Sequence, residues 1–249
     1  QSAADPLTRV VQALKGRSKN TANTSVMQWN DTLYALMEAA GPVAFDSELN
    51  TIGESDLDGV LQSPFSAHPH TIPQRNASYN FGVAWGAGGK LCTYEMKHGG
   101  RARMINSLKL KYPVMLHDFM ATENHMVFFV SPARFKIANL TLGVGDAADF
   151  LAWRPEDGTE VIVVPIDDPD RTRRFKVDPF FQIHFGGGFE EGDDIVVDYF
   201  RYPDSSAMRR NIQEIDKPPM LGEYVRARIP KGQSKVSFER QSDTGMEFG

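Results

Sequence analysis

The stretch Glu223-Tyr224-Val225-Arg226-Ala227-Arg228-Ile229 alternates without a break. Val225, Ala227 and Ile229 fall on one side; Tyr224, Arg226 and Arg228 fall on the other. A period of two is that of a β-strand with one buried face. The next run, Lys235–Arg240, repeats the pattern, with Val236 and Phe238 set against Lys235 and Ser237. Working back along the chain, further short runs read as strands: Leu33–Glu38, Tyr79–Trp85, Leu91–Met96, Met126–Val130, Thr159–Ile166 and Ile195–Tyr202. Clusters of Gly, Pro, Asn and Asp separate them. Only two segments read as helix. In the first, over 1–18, Asp5 caps, Pro6 sits in the first turn, Leu7, Val10, Val11 and Leu14 form an apolar stripe, and Gly16 ends the run. The second covers roughly Ser205 to Ile215. Strands do not alternate with long helices, which excludes a parallel α/β sheet. An all-β fold is expected: a sandwich, barrel or propeller. No linker or low-complexity tract marks a boundary, so residues 1–249 read as a single domain.

Composition narrows the function classes. The chain has 249 residues, with 27 Lys and Arg against 32 Asp and Glu, a formal net charge of −5. A sequence-independent nucleic-acid binder needs surplus positive charge, so that class is excluded. The single cysteine, Cys92, rules out disulfide scaffolds and cysteine-rich metal sites within one chain. No apolar stretch approaches the ~20 residues of a membrane-spanning helix, and no signal-peptide pattern opens the chain. A cytoplasmic location is expected.

Several motifs fail on inspection. Gly86-Ala87-Gly88-Gly89-Lys90 resembles a phosphate loop, but Ala84 stands where the first glycine belongs and Leu91 where Ser or Thr must follow the lysine. A turn between strands is the better reading. No G-x-S-x-G elbow is present. Cys92 lies inside a strand-like run and reads as a buried thiol.

Six histidines remain, and none forms a short-range metal signature. Three stand apart in context: His68 in Phe65-Ser66-Ala67-His68-Pro69-His70, His117 in Val114-Met115-Leu116-His117-Asp118-Phe119, and His184 in Phe180-Phe181-Gln182-Ile183-His184-Phe185-Gly186. Each ends an apolar or aromatic run next to an expected turn. Separations of 49 and 67 residues suit ligands donated by successive supersecondary units. His98 and His125 read as surface residues, His70 as a backbone partner, and Asp118 as a turn or hydrogen-bonding residue. Phe65, Phe119, Phe180, Phe181 and Phe185 read as core.

These contexts resemble the iron-ligand motifs of the carotenoid cleavage oxygenase family. The likeness is carried by Lys19–Thr24, Leu36-Met37-Glu38, Ser66–His70, Leu116–Thr122 with Val127-Phe128-Phe129, and Phe180–His184 followed by Phe189–Asp193, in the family's order. The resemblance implies a seven-bladed β-propeller, here an incomplete portion of about four to five blades over 19–249. It implies Fe(II) held by four histidines, three of which match His68, His117 and His184. Glutamates that accept hydrogen bonds from the ligands match Glu38 and, in Met246-Glu247-Phe248, Glu247. No histidine follows His184, so one ligand of the family's set has no counterpart here.

The function implied is cleavage of a carbon–carbon double bond of a carotenoid or apocarotenoid with O2, giving carbonyl products. The implied partners are an apolar polyene, O2 and, peripherally, a membrane surface. Stilbene cleavage and retinoid isomerisation share the iron site. Stilbene-cleaving relatives tend to carry lysine immediately before the glutamate; Met37 stands there, which favours an apolar substrate. A non-catalytic propeller scaffold is the remaining alternative. The chain alone, one ligand short, is expected to be inactive.

Overall fold

The computed structural model describes residues 20–84, 89–136, 150–212, 214, 216–232 and 235–246. The helix expected over 1–18 and the glycine-rich turn at 86–88 lie outside the described residues, as does Glu247. The chain divides into two compact units, Gln1–Pro113 and Val114–Gly249.

The first unit holds two antiparallel four-stranded meanders. One runs β1 (Ser25–Trp29), β2 (Thr32–Leu36), β3 (Val43–Phe45) and β4 (Thr51–Glu54); the other runs β5 (His70–Ile72), β6 (Ala77–Ala84), β7 (Lys90–Lys97) and β8 (Ala102–Lys109). Their shared core is Trp29, Tyr34, Leu36, Phe65, Cys92, Tyr94 and Met96. Cys92 is buried and free, as its strand position suggests.

The second unit holds two more such meanders and a hairpin. The strands are β9 (Met120–Ala121), β10 (His125–Val130), β11 (Ala133–Phe135), β12 (Leu151–Trp153), β13 (Thr159–Pro165), β14 (Arg173–Val177), β15 (Phe181–Glu191), β16 (Asp194–Tyr202), β17 (Glu223–Ile229) and β18 (Ser237–Arg240). They order as β14-β13-β10-β9, as β15-β16-β17-β18, and as the pair β11-β12. The helix α1 (Ser206–Ile212) is shorter than its sequence signal. The alternation read in β17 holds: Val225, Ala227 and Ile229 are fully buried, and their flanking residues are half-exposed. The five phenylalanines read as core are all buried.

Two local devices position the histidines. Before β5, the segment Ser63–His68 lies against β6: Ser66 N–H donates to the Phe81 carbonyl at 2.8 Å, and the buried Asn80 amide donates to the Ser66 carbonyl at 2.7 Å. Gly82 makes this approach feasible, because a Cβ there would overlap the Pro64 carbonyl oxygen. In β15 the pairing with β16 is Gln182 to Arg201, then Phe185 to Tyr199, then Gly187 to Asp198. Each step carries one extra residue on β15. His184 therefore sits in a β-bulge, a device that re-aims a side chain without ending the strand. This corrects the expectation that His184 ends a run at a turn: it lies inside an eleven-residue strand.

Candidate metal centre

His117 precedes β9 on a short connection. Met115 N–H donates to the Ala133 carbonyl at 3.0 Å, and Val114 bridges Arg134, which pins the chain two residues before the histidine. The next residue, Asp118, is buried; its Oδ1 accepts the Phe119 N–H at 2.7 Å and its Oδ2 the Phe185 N–H at 2.8 Å. The hydrogen-bonding role expected for Asp118 is what the structure shows.

His117 Nε2 and His184 Nε2 lie 3.0 Å apart, with the rings edge to face at 4.8 Å. Two bare imidazole lone pairs repel at that distance. A proton or a cation between them removes the conflict. Burial, with the adjacent His184 adding to it, pushes the His117 imidazole down to about 4. Near neutral pH this ring is thus uncharged and holds a lone pair to donate, the state a metal ligand requires. Metal–nitrogen bonds of about 2.1 Å meeting at a right angle separate their nitrogens by roughly 3.0 Å, so the spacing suits two ligands on one ion.

His68, the third candidate ligand, stands in the first unit, two residues before β5. All three side chains are half-buried. Glu38 is half-buried two residues beyond β2, which stops at Leu36 rather than at Glu38. Met37 Sδ accepts from the Thr21 N–H at 3.2 Å. His70 is the first residue of β5, paired with Tyr79.

One cluster was not legible in advance. Glu190 Oε1 accepts from Thr122 Oγ1 at 2.6 Å, from Asn124 N–H at 2.8 Å and from His125 Nδ1 at 3.1 Å, and its Oε2 accepts from Asn124 Nδ2 at 2.8 Å. His125 is therefore half-buried in a polar cluster rather than a free surface residue. Glu190 lies in the Phe189–Asp193 motif, but the 65 residues between it and His125 hid the pairing.

The family model of the retinal pigment epithelial membrane protein, RPE65, matches residues 1–249. The chain belongs to that family. Among curated relatives, the apocarotenoid-15,15'-oxygenase of Synechocystis sp. is 28% identical over 195 residues, covering 75% of this chain and 40% of that protein. Carotenoid cleavage oxygenase 1 of Neurospora crassa is 36% identical over 130 residues, covering 50% of this chain and 24% of its own. Resveratrol cleavage oxygenase 1 of Chaetomium globosum is 28% identical over 197 residues, covering 75% and 32%. A point variant of Synechocystis ACO superposes with a TM-score of 0.79 at 25% identity over 96% of this chain and 52% of that one. An ACO/RPE65 chimera does so with a TM-score of 0.76 at 25% identity, over 92% and 51%. The chain thus spans less than half the length of these curated relatives and about half that of the solved structures.

Proposed function

We propose that the protein to which this chain belongs is an Fe(II)-dependent oxygenase that cleaves a carbon–carbon double bond of a carotenoid or apocarotenoid. The observation that carries the reading is the His117–His184 pair with Nε2 atoms 3.0 Å apart, in a chain matched along its whole length by the oxygenase-containing family. His68, His117 and His184 would hold the metal. An all-imidazole donor set of neutral rings suits Fe(II) and leaves the ion its full charge. When bound, the iron would supply activation of O2 toward an electron-rich double bond. The chain's own part is to present uncharged imidazoles. For His117 this is supported by its depressed basicity. Glu38 and Glu247 are proposed to orient ligand rings by accepting their outward N–H groups, which fixes the tautomer. The four-stranded meanders support reading the fold as propeller blades.

A second substrate class, a stilbene, is favoured by the resveratrol-cleaving relatives. Met37 speaks against it, because a thioether offers a phenolic oxygen no charged partner. Uptake of an apolar polyene at a membrane surface belongs to the same proposal; among the described residues no helix is long and apolar enough to cross a membrane.

The test is Fe(II) loading of the whole protein to which this chain belongs, followed by incubation with a coloured apocarotenoid and, separately, a stilbene. Loss of polyene absorbance that needs both O2 and iron, and that His117→Ala abolishes, supports the reading. Iron-loaded protein that leaves both substrates intact overturns it. The isolated 249-residue chain, with three of the family's four ligands, is expected to be inactive.

A further inference from the structure

His117 and His184 stand on separate segments, 67 residues apart in sequence. What fixes their spacing before any ion arrives is a question of its own. Asp118 and Phe185 are the residues immediately after the two histidines, and the Asp118 carboxylate accepts the Phe185 N–H at 2.8 Å. Its other oxygen accepts the Phe119 N–H, so one buried side chain ties both histidine-bearing backbones to a single point. Phe185 lies between two register shifts of β15, where the regular ladder is interrupted and a backbone N–H needs another acceptor. Further along, the same two segments are joined again by Glu190, and between the ties Gly188 lets Met120 pack directly against β15.

We propose that Asp118 is a positioning residue that holds His117 and His184 at the spacing a shared divalent ion requires. It touches neither the ion nor the substrate; it acts through the two backbones. The inference rests on the metal reading given above, and it assigns to Asp118 a part beyond satisfying buried amides. A purely structural Asp118 would change stability alone. A positioning Asp118 changes how the metal is held in protein that is still folded.

The test is titration with Co(II), read by its visible absorption band, on the parent chain and on His117→Ala, Asp118→Asn and Asp118→Glu. Hydrogen exchange at the Phe185 amide is followed with and without Co(II). His117→Ala is expected to lose binding. Asp118→Asn, which keeps one acceptor oxygen of the two, is expected to bind ten- to a hundredfold more weakly, with a shifted band at saturating metal. Asp118→Glu, which keeps both acceptors, is expected to recover part of the affinity. Folded Asp118→Asn with the parent's affinity and band overturns the proposal and leaves the metal reading standing. A parent chain that binds no Co(II) overturns the metal reading, and this inference with it. If Asp118→Asn does not fold, the parent decides: by linkage, metal binding must slow Phe185 exchange, and an unchanged rate overturns the proposal.

Discussion

Glu190 on β15 accepts a hydrogen bond from His125 Nδ1, the first residue of β10, at 3.1 Å. Burial alone would raise the Glu190 pKa. The bonds from His125, Asn124 and Thr122 outweigh it and hold the carboxyl down at about 2. A carboxylate depressed in the folded state contributes stability that is present above its unfolded pKa, about 4.3. That contribution is lost as pH falls toward the folded value. Between roughly pH 4.5 and 2, Glu190 is expected to account for about 2 kcal/mol of lost stability. Urea unfolding at stepped pH checks this. Glu190→Gln should be less stable at pH 7 and show a shallower acid loss; an unchanged pH profile would sink the assignment.

Gly82 and Gly187 are both strand glycines, and they should answer substitution in opposite ways. A Cβ at Gly82 overlaps the Pro64 carbonyl, a backbone atom that moves only if the whole Ser63–His68 segment lifts from β6. A Cβ at Gly187 meets nothing within 4 Å. Gly82→Ala is expected to cost about 3 kcal/mol or more, as overpacking against fixed atoms does. Gly187→Ala should be neutral or slightly stabilising, because it reduces the freedom of the unfolded chain. Thermal unfolding of the two variants side by side settles the contrast.

The strands that could be read in advance are those with a sustained period of two, or a continuous apolar run, such as β17, β13 and β16. Their limits fall within a residue or two of the observed ones. The strands that could not be read have physical reasons. β8 carries Arg103, Asn106 and Ser107 among its apolar residues and is mostly half-exposed. β15 contains Gly186, Gly187 and Gly188, which read as a turn. There the glycines serve tertiary contacts instead: Gly186 faces the Tyr224 ring and Gly188 faces Met120. The three histidines were legible through their shared context, not through spacing. The ties between the segments that carry His117 and His184, Asp118 to Phe185 and Glu190 to the Thr122–His125 turn, join residues more than sixty apart and leave no periodic trace.

Asp198 and Arg226, cross-strand partners on β16 and β17, form a two-point pair: Nε to Oδ1 and Nη2 to Oδ2, both 2.8 Å. Tyr224 adds a bond to Oδ2 at 3.1 Å, and the guanidinium lies 5.7 Å from the Phe189 ring centroid. The aspartate is buried and the arginine half-exposed. Lysine keeps the charge but cannot reproduce the two-point geometry. A double-mutant cycle of Asp198→Ala and Arg226→Ala, measured by urea unfolding, is expected to give a coupling of about 1 kcal/mol. Arg226→Lys should retain less than half of it. A coupling indistinguishable from zero would mean that the pair only decorates the sheet surface.

Gly186 is the extra residue of the second register shift in β15, lying between Phe185, paired with Tyr199, and Gly187, paired with Asp198. Deleting it removes that bulge. Phe185–Tyr199 and Gly187–Asp198 then become consecutive pairs of a regular ladder, and the local bend and extra twist that the bulge gives the strand are lost. The half beyond Gly187 is anchored by Glu190 and by the contact of Gly188 with Met120. The change of direction therefore falls on Phe181–Phe185, which carries His184. The deletion is expected to preserve the β-sheet circular dichroism signal while Co(II) binding falls at least tenfold, because the His184 ring is displaced from His117. Full Co(II) affinity in the deleted chain would show that the first bulge alone aims the ring, and that the glycine serves only its contact with Tyr224.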